Sequence, residues 1–192
     1  MKFKFKIQQY QTDAVENTVS VFTGQPSHGM AVYRIDPGQK EKQFFDEEDY
    51  IGYRNHHLEL ENQTLLRNIN AIQNLYDITP STTLIKGVGA VNLDIEMETG
   101  TGKTYVYIKT MFELNKQYGW SKFIIVVPSI AIREGVAKSF KMLEEHFMEY
   151  YGRKARWFIY DSGNLQQLDS FSSDSGLCVM IINTQAFAAS MK

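Results

Sequence analysis

A glycine-rich turn near the middle of the chain carries the residues best suited to chemistry. Within METGTGKT, Gly100 and Gly102 flank Thr101 and are followed by Lys103 and Thr104. Glycines let a backbone curl around an anion, and the first N–H groups of a helix have no acceptor inside it. A lysine can reach the β and γ phosphates of a nucleotide, and a threonine hydroxyl can bind Mg²⁺. The turn therefore predicts a nucleotide and Mg²⁺ site, with Lys103 and Thr104 catalytic and Thr104 the metal ligand.

The leading part of this turn departs from the general phosphate-loop pattern G-x-x-x-x-G-K-[ST]. Met97 stands where the pattern has glycine, although the glycines nearest the phosphates are present. Glu98 and Thr99 complete the predicted cofactor-binding loop. For Glu98, a carboxylate that merely ends a strand is an equal alternative.

A group of glutamines near the N-terminus is the candidate for contact with the base. Gln11, in YQTDAV, is the preferred candidate because its amide can donate and accept hydrogen bonds on one base edge. Gln8 and Gln9 are rivals for that role. Three glutamines on a solvated helix start are the alternative without function.

Two pairs of polar residues follow predicted strands and are candidates for contact with DNA. Ser129 ends KFIIVVPS and Arg133 follows it, while Thr184 ends LCVMIINT and Gln185 follows it. Ligands of open α/β sheets gather at the carboxyl ends of strands, where serine and arginine can contact phosphates. The alternative is that Ser129 caps a helix and Arg133 is a surface residue.

Short apolar runs alternate with helical spacings in the second half of the chain. Strands are predicted at NLDIEM, KFIIVVPS, RWFIYDS and LCVMIINT. Helices are predicted over Gln9–Phe22, along Leu65 to Tyr76, over Lys103–Tyr118 and along Val136 to Tyr150. This alternation predicts an α/β fold with a parallel sheet covered by helices on both faces. A lysine-edged strand at MKFKFKI and a loop with a hairpin over residues 28–60 are further expectations.

The bulk composition is that of a globular domain and excludes several classes of protein. The 192 residues carry a net charge of -2, so no general basicity indicates a nucleic-acid partner. A single cysteine, Cys178, excludes a disulfide framework and fits a reducing cytoplasm. No apolar run approaches the roughly 18 residues of a membrane helix, and the basic N-terminus lacks the apolar core of a signal peptide.

Several motifs resemble those of one superfamily, in the same order along the chain. METGTGKT resembles motif I of superfamily 2 helicases and translocases. YQTDAV is similar to their glutamine motif, in which a glutamine reads adenine, so the resemblance implies that Gln11 reads adenine. VVPSIAIREGV resembles motif Ia, and MIINTQAF resembles motif Ib. The whole stretch from DIEMETGTGKT to VVPSIAIREGV is closer still to the Res subunit of type III restriction-modification enzymes, as are NQTLLRNINAIQ and FIYDSGNLQQLDSFSSDSGLCVMIINTQAF.

This resemblance implies a partial RecA-like P-loop domain over residues 91–192, incomplete at its C-terminal end, after an N-terminal extension over residues 1–90. It implies an ATP-dependent, Mg²⁺-requiring translocase on double-stranded DNA, coupled to DNA cleavage and partnered by a modification methyltransferase (Mod) subunit. The Walker B motif, the second RecA-like domain and the nuclease domain are expected beyond Lys192, so residues 1–192 alone are expected to be inactive. A complete small P-loop kinase, or a nucleotide-binding module without catalysis, is the alternative, but Asp161 is not a convincing acid for a kinase.

Overall fold

The computed structural model describes residues 5–34, 51–85, 87, 89 and 91–190. The chain packs as two compact units, the first formed by residues 1–27 and 57–118 and the second by residues 28–56 and 119–192. The predicted division into an N-terminal extension over residues 1–90 and a RecA-like domain over residues 91–192 stays a prediction.

Within its described residues, the first unit contains three helices, which lie where the helical spacings predicted them. They are α1 (Gln9–Ser20), α2 (Asn62–Leu75) and α3 (Lys103–Tyr118). α1 packs against α3 and buries Val15 and Val19, while α3 buries Val106 and Ile108. The hydroxyl of Tyr118 also donates to the Val19 carbonyl at 3.2 Å. The middle and the end of α1 are therefore fixed relative to α3.

The strand predicted at NLDIEM is wrong, because residues 92–97 adopt no regular structure. Alternation of Leu93 and Ile95 with acidic residues suits a strand, but a strand also needs a neighbour to pair its N–H and C=O groups. The Asn92 N–H instead donates to the Ile85 carbonyl at 3.0 Å, as in a loop. The glycine-rich turn therefore leads into a helix, as predicted, but follows an irregular segment.

The second unit contains a parallel sheet, which confirms the α/β fold class and the partial RecA-like architecture. Its elements are β1 (Ala31–Arg34), β2 (Ile51–Arg54), β3 (Lys122–Val127), α4 (Ile130–Tyr151), β4 (Arg156–Ile159), α5 (Gln166–Ser173), β5 (Cys178–Asn183) and α6 (Thr184–Ser190). The order β3-β5-β4 is parallel throughout, and every residue of the central strand β5 is buried. α4 buries Phe140 and Leu143 and contacts the sheet. Ile124 and Val126 on β3 are 50% and 43% exposed, so the cover of that strand is partial.

The polar stretch before α2 contains the expected hairpin, since β1 and β2 pair antiparallel. Asn55 anchors this pair at the start of β3: its Oδ1 accepts from the N–H groups of Ser121 and Lys122 at 2.7 and 2.8 Å. Gly119, at φ +76°, is required there because a Cβ would lie 1.9 Å from the His28 carbonyl oxygen. Residues 35–50, which join the two strands, lie outside the described residues, as does most of the strand expected at MKFKFKI. Residues 5–7 of that stretch form no strand.

Among the described residues, no helix combines the length and the apolar character needed to cross a membrane.

Candidate nucleotide-binding site

The glycine-rich turn curls through two left-handed residues immediately before α3. Gly100 has φ +84° and Gly102 has φ +88°, a region that residues with a Cβ enter only at a cost. The Val106 N–H donates to the Gly102 carbonyl at 3.1 Å, so the hydrogen bonds of α3 begin at the last glycine. The turn thus delivers the chain to a helix N-terminus, where N–H groups and the helix dipole favour an anion.

Lys103, the first residue of α3, folds back over the turn. Its Nζ donates to the carbonyls of Met97 and Glu98 at 2.8 and 3.0 Å. Both acceptors are neutral, and the side chain is exposed. Phosphate oxygens would give the same ammonium shorter, charge-assisted bonds, so exchange toward a phosphate is favourable.

Gln11 contacts this turn directly. Its Nε2 donates to the Thr101 carbonyl at 2.8 Å, and a Cβ built on Gly102 would lie 2.4 Å from the same nitrogen. The helix explains the placement, because Gln11, Val15 and Val19 follow one another at intervals of four on the face that packs against α3.

The two rival glutamines make different contacts at the start of α1. Gln8 is the N-cap residue, and its carbonyl accepts from the N–H groups of Gln11 and Thr12. The Gln9 Nε2 donates to the Asp13 Oδ1 at 2.7 Å on the exposed side of the helix. Of the three, Gln11 is the one in contact with the loop, although its contact with adenine stays a prediction.

Thr104, the predicted Mg²⁺ ligand, lies half-buried in the first turn of α3. Burial raises the pKa of Tyr107 above its ordinary value, and a hydrogen bond with the Thr104 side chain opposes that shift. Tyr107 was not singled out from the sequence. Its spacing of three from Thr104 on a helix is the feature that could have identified it.

A cavity of about 680 Å³ adjoins the turn within the first unit. It is lined by α1, α2 and the irregular segment before the turn, and it reaches Glu98 and Thr101. Tyr10 and Asp13 line it from α1, beside Gln11. Its volume is in the range of pockets that enclose small-molecule ligands.

Three of the four candidate DNA-contacting residues closely follow β3 or β5 at one end of the parallel sheet in the second unit. Val127 lies opposite Asn183 in the register, so the segments after β3 and β5 leave the sheet side by side. Ser129 follows β3, and Thr184 and Gln185 open α6 directly after β5. Arg133 lies in the first turn of α4, which follows β3. Contact of these four residues with DNA stays a prediction.

Ser129 and Arg133 make contacts of the structural kind that the sequence left open as alternatives to binding DNA. The Ser129 Oγ accepts from the Ile132 N–H at 3.3 Å and caps α4. Arg133 pairs with Glu134 at 3.0 Å, with side-chain exposures of 21% and 57%. An exposed pair of this kind is worth only about 0–1 kcal/mol, so it does not prevent the guanidinium from meeting a phosphate.

A parallel sheet flanked by helices, together with a glycine-rich turn that opens a helix, defines a P-loop protein of the α/β class with a partial RecA-like domain. Comparison with known families is more specific. Residues 4–191 match the family described as "Type III restriction enzyme, res subunit". The chain therefore belongs to this family.

Individual relatives carry the same description. The chain is 41% identical over 110 residues to the Res subunit of the type III restriction-modification enzyme EcoP15I of Escherichia coli, which covers 56% of this chain and 11% of that protein. It is 39% identical over 121 residues to the EcoPI Res subunit of Escherichia phage P1, covering 60% and 12%. It is 51% identical over 63 residues to the StyLTI Res subunit of Salmonella typhimurium, covering 31% and 6%. The matched segments thus span about a tenth or less of those relatives.

Proposed function

We propose that this chain binds ATP with Mg²⁺ as the N-terminal motor portion of a Res subunit, in which ATP drives a DNA translocase coupled to cleavage. The observation that carries the proposal is the turn at Gly100–Thr104, with two left-handed glycines and Lys103 poised over the start of α3. Membership of the family of Res subunits disfavours a small kinase or a module without catalysis.

Each residue of the loop has a distinct part in this proposal. The ammonium of Lys103 exchanges its carbonyl partners for the β and γ phosphates, and the Thr104 hydroxyl holds Mg²⁺. Gly100, Thr101 and Gly102 supply the curled backbone, with Glu98 and Thr99 ahead of them. Hydroxyl oxygen is a hard ligand of the kind Mg²⁺ prefers, and Mg²⁺ keeps several waters besides. The cavity beside Tyr10 offers room for the base, which Gln11 contacts.

The sheet edge at Ser129, Arg133, Thr184 and Gln185 is proposed to contact the DNA backbone. Two helices begin at this edge, and helix N-termini favour phosphate. Hydroxyl, amide and guanidinium groups are the side chains that position a duplex without reading its sequence. Sequence recognition is proposed to belong to the Mod subunit.

Arg133→Ala should weaken binding of duplex DNA by about three- to tenfold. The substitution removes one charge-assisted contact with a phosphate, whose free energy is reduced by the loss of the Arg133–Glu134 pair on binding. The loss should be the same for unrelated sequences, and the salt slope should fall by about one. Arg153→Ala is the matched control, because it removes the same charge just beyond the opposite end of α4. Fluorescence anisotropy over a salt series measures both quantities. Equal effects of the two substitutions would contradict a contact at this edge.

Hydrolysis should require the complete protein. Phosphoryl transfer needs a second acidic group on Mg²⁺, a residue that positions water and a positive charge on the leaving oxygens. Nothing in residues 1–192 resembles a Walker B motif or an arginine finger. We expect no phosphate release by a polypeptide of residues 1–192, with or without duplex DNA, and ATP-dependent DNA cleavage by the complete protein assembled with a Mod subunit. DNA-dependent release by residues 1–192 that Lys103→Ala abolishes would refute this expectation.

The proposed location is the cytoplasm, where DNA and ATP are found. The buried, unpaired thiol of Cys178 fits a reducing compartment. Cell fractionation followed by detection of the chain tests the location.

A further inference from the structure

Gln11 makes a contact that reading a base does not require. Its Nε2 donates to the backbone carbonyl of Thr101 at 2.8 Å, across 90 residues of sequence. The same nitrogen occupies the space that a Cβ on Gly102 would need. Gln11 therefore lies against the peptide bond that joins Thr101 to Gly102, in the middle of the phosphate-binding loop.

The geometry of that peptide bond links the Gln11 contact to the orientation of the Gly102 N–H. Cis peptide bonds are absent from the described residues. In a planar trans peptide, the carbonyl of one residue and the N–H of the next point in opposite directions. A Thr101 carbonyl held toward α1 therefore turns the Gly102 N–H away from α1. This N–H immediately precedes the helix start and belongs to the set that cradles an anion.

Thr101 is held from a second direction as well. Its hydroxyl donates to the Glu98 carbonyl at 2.7 Å, the same carbonyl that accepts from Lys103 at 3.0 Å. The support behind Gln11 is firm, because Val15 and Val19 are only 1% and 3% exposed in the contact of α1 with α3. The Gln11 side chain thus fixes the loop to α1, and the Thr101 hydroxyl fixes one part of the loop to another.

We propose that Gln11 is a positioning residue for the phosphate-binding loop. By holding the Thr101 carbonyl it presets the Gly102 N–H for the phosphates of any nucleoside triphosphate, whatever the base. The proposal rests on the proposed ATP site and is compatible with base reading, because a primary amide has two N–H hydrogens and one oxygen. Gln11 should therefore influence ligands that carry no base.

Inorganic tripolyphosphate is the probe that separates the two roles. We expect Gln11→Ala and Gln11→Met each to weaken its Mg²⁺-dependent binding by about three- to tenfold, the loss of one hydrogen bond. Gln11→Met is decisive because methionine keeps the length and packing of glutamine but cannot donate. Glu16→Ala, an exposed change on the same helix, should leave binding unchanged. Calorimetric titration gives the affinities, and thermal unfolding midpoints verify that each variant is folded.

ATP and GTP form the other arms of the experiment. Base reading predicts that Gln11→Ala also narrows the preference for ATP over GTP. An unchanged tripolyphosphate affinity in Gln11→Ala, or an affinity fully kept in Gln11→Met, would overturn the positioning role. A changed ATP/GTP ratio alone would leave only base reading. Absence of tripolyphosphate binding by the unsubstituted chain, or binding that Lys103→Ala does not alter, would instead overturn the proposed ATP site.

Discussion

Lys103→Ala is expected to weaken ATP binding by about ten- to a hundredfold, because a charge-assisted contact is worth about 1.5–3 kcal/mol. In the structure the ammonium is bonded to two neutral carbonyls within the same loop, at 2.8 and 3.0 Å. Phosphates would replace these acceptors with charged ones, and the gain is lost with the side chain. In the complete protein, ATP-dependent DNA cleavage should disappear. Calorimetric titration with ATP and Mg²⁺ measures the first effect.

The fold should survive this substitution, which separates binding from stability. A cation at a helix N-terminus opposes the helix dipole, and alanine is the better helix former there. Lys116→Ala is the matched control, since it removes an exposed positive charge from the last turn of the same helix. We expect its ATP affinity to equal that of the unsubstituted chain. If both lysine variants bound ATP equally well, the assignment of the phosphate-binding loop would be wrong.

Gly102→Ala is expected to reduce ATP affinity by about five- to thirtyfold, because a left-handed residue with a Cβ costs about 1–2 kcal/mol. The same Cβ would displace the Gln11 amide, which now lies 2.4 Å from that position. Gly100→Ala separates backbone strain from crowding of Gln11. Gly100 has the same left-handed conformation, with φ +84°, but a Cβ there would meet nothing within 4 Å.

Comparing the two glycines tests the crowding directly. Gly102→Ala should bind ATP more weakly than Gly100→Ala, and the difference should shrink when Gln11→Ala is added to both. Gly135→Ala, in the open on α4, should leave ATP binding unchanged. A Gly102→Ala variant with unchanged affinity would show that the loop does not need this conformation to bind the nucleotide.

Periodicity predicted the helices and the paired strands well, because each of these elements buries a regular apolar face. α3 begins and ends at the predicted residues, and β3, β4 and β5 lie within the predicted apolar runs. NLDIEM failed because pairing depends on a neighbour, which alternation of residue types does not specify. α5 and α6 were not anticipated: they are 8 and 7 residues long, too short to display a clear helical period.

The residue types of the candidate site were readable from the sequence, but their contacts were not. Gln11 and Thr101 are 90 residues apart, and only the packing of α1 on α3 brings them together. The hydrogen bond between Thr104 and Tyr107 could have been read from helical spacing. The pairing of Arg133 with Glu134 depends on the rotamers of two neighbouring side chains, which a sequence does not fix.

The central claim is that Gly100–Thr104 binds the phosphates of ATP, and a residue-resolved titration tests it most directly. ¹⁵N-resolved NMR spectra of the chain, recorded as ATP and Mg²⁺ are added, report on each backbone N–H. We predict the largest shifts at Gly102, Lys103 and Thr104, whose N–H groups are proposed to face the phosphates, and we predict that these shifts disappear in Lys103→Ala at the same ATP concentration. Saturable shifts elsewhere in the chain, with these three amides unmoved, would contradict the claim.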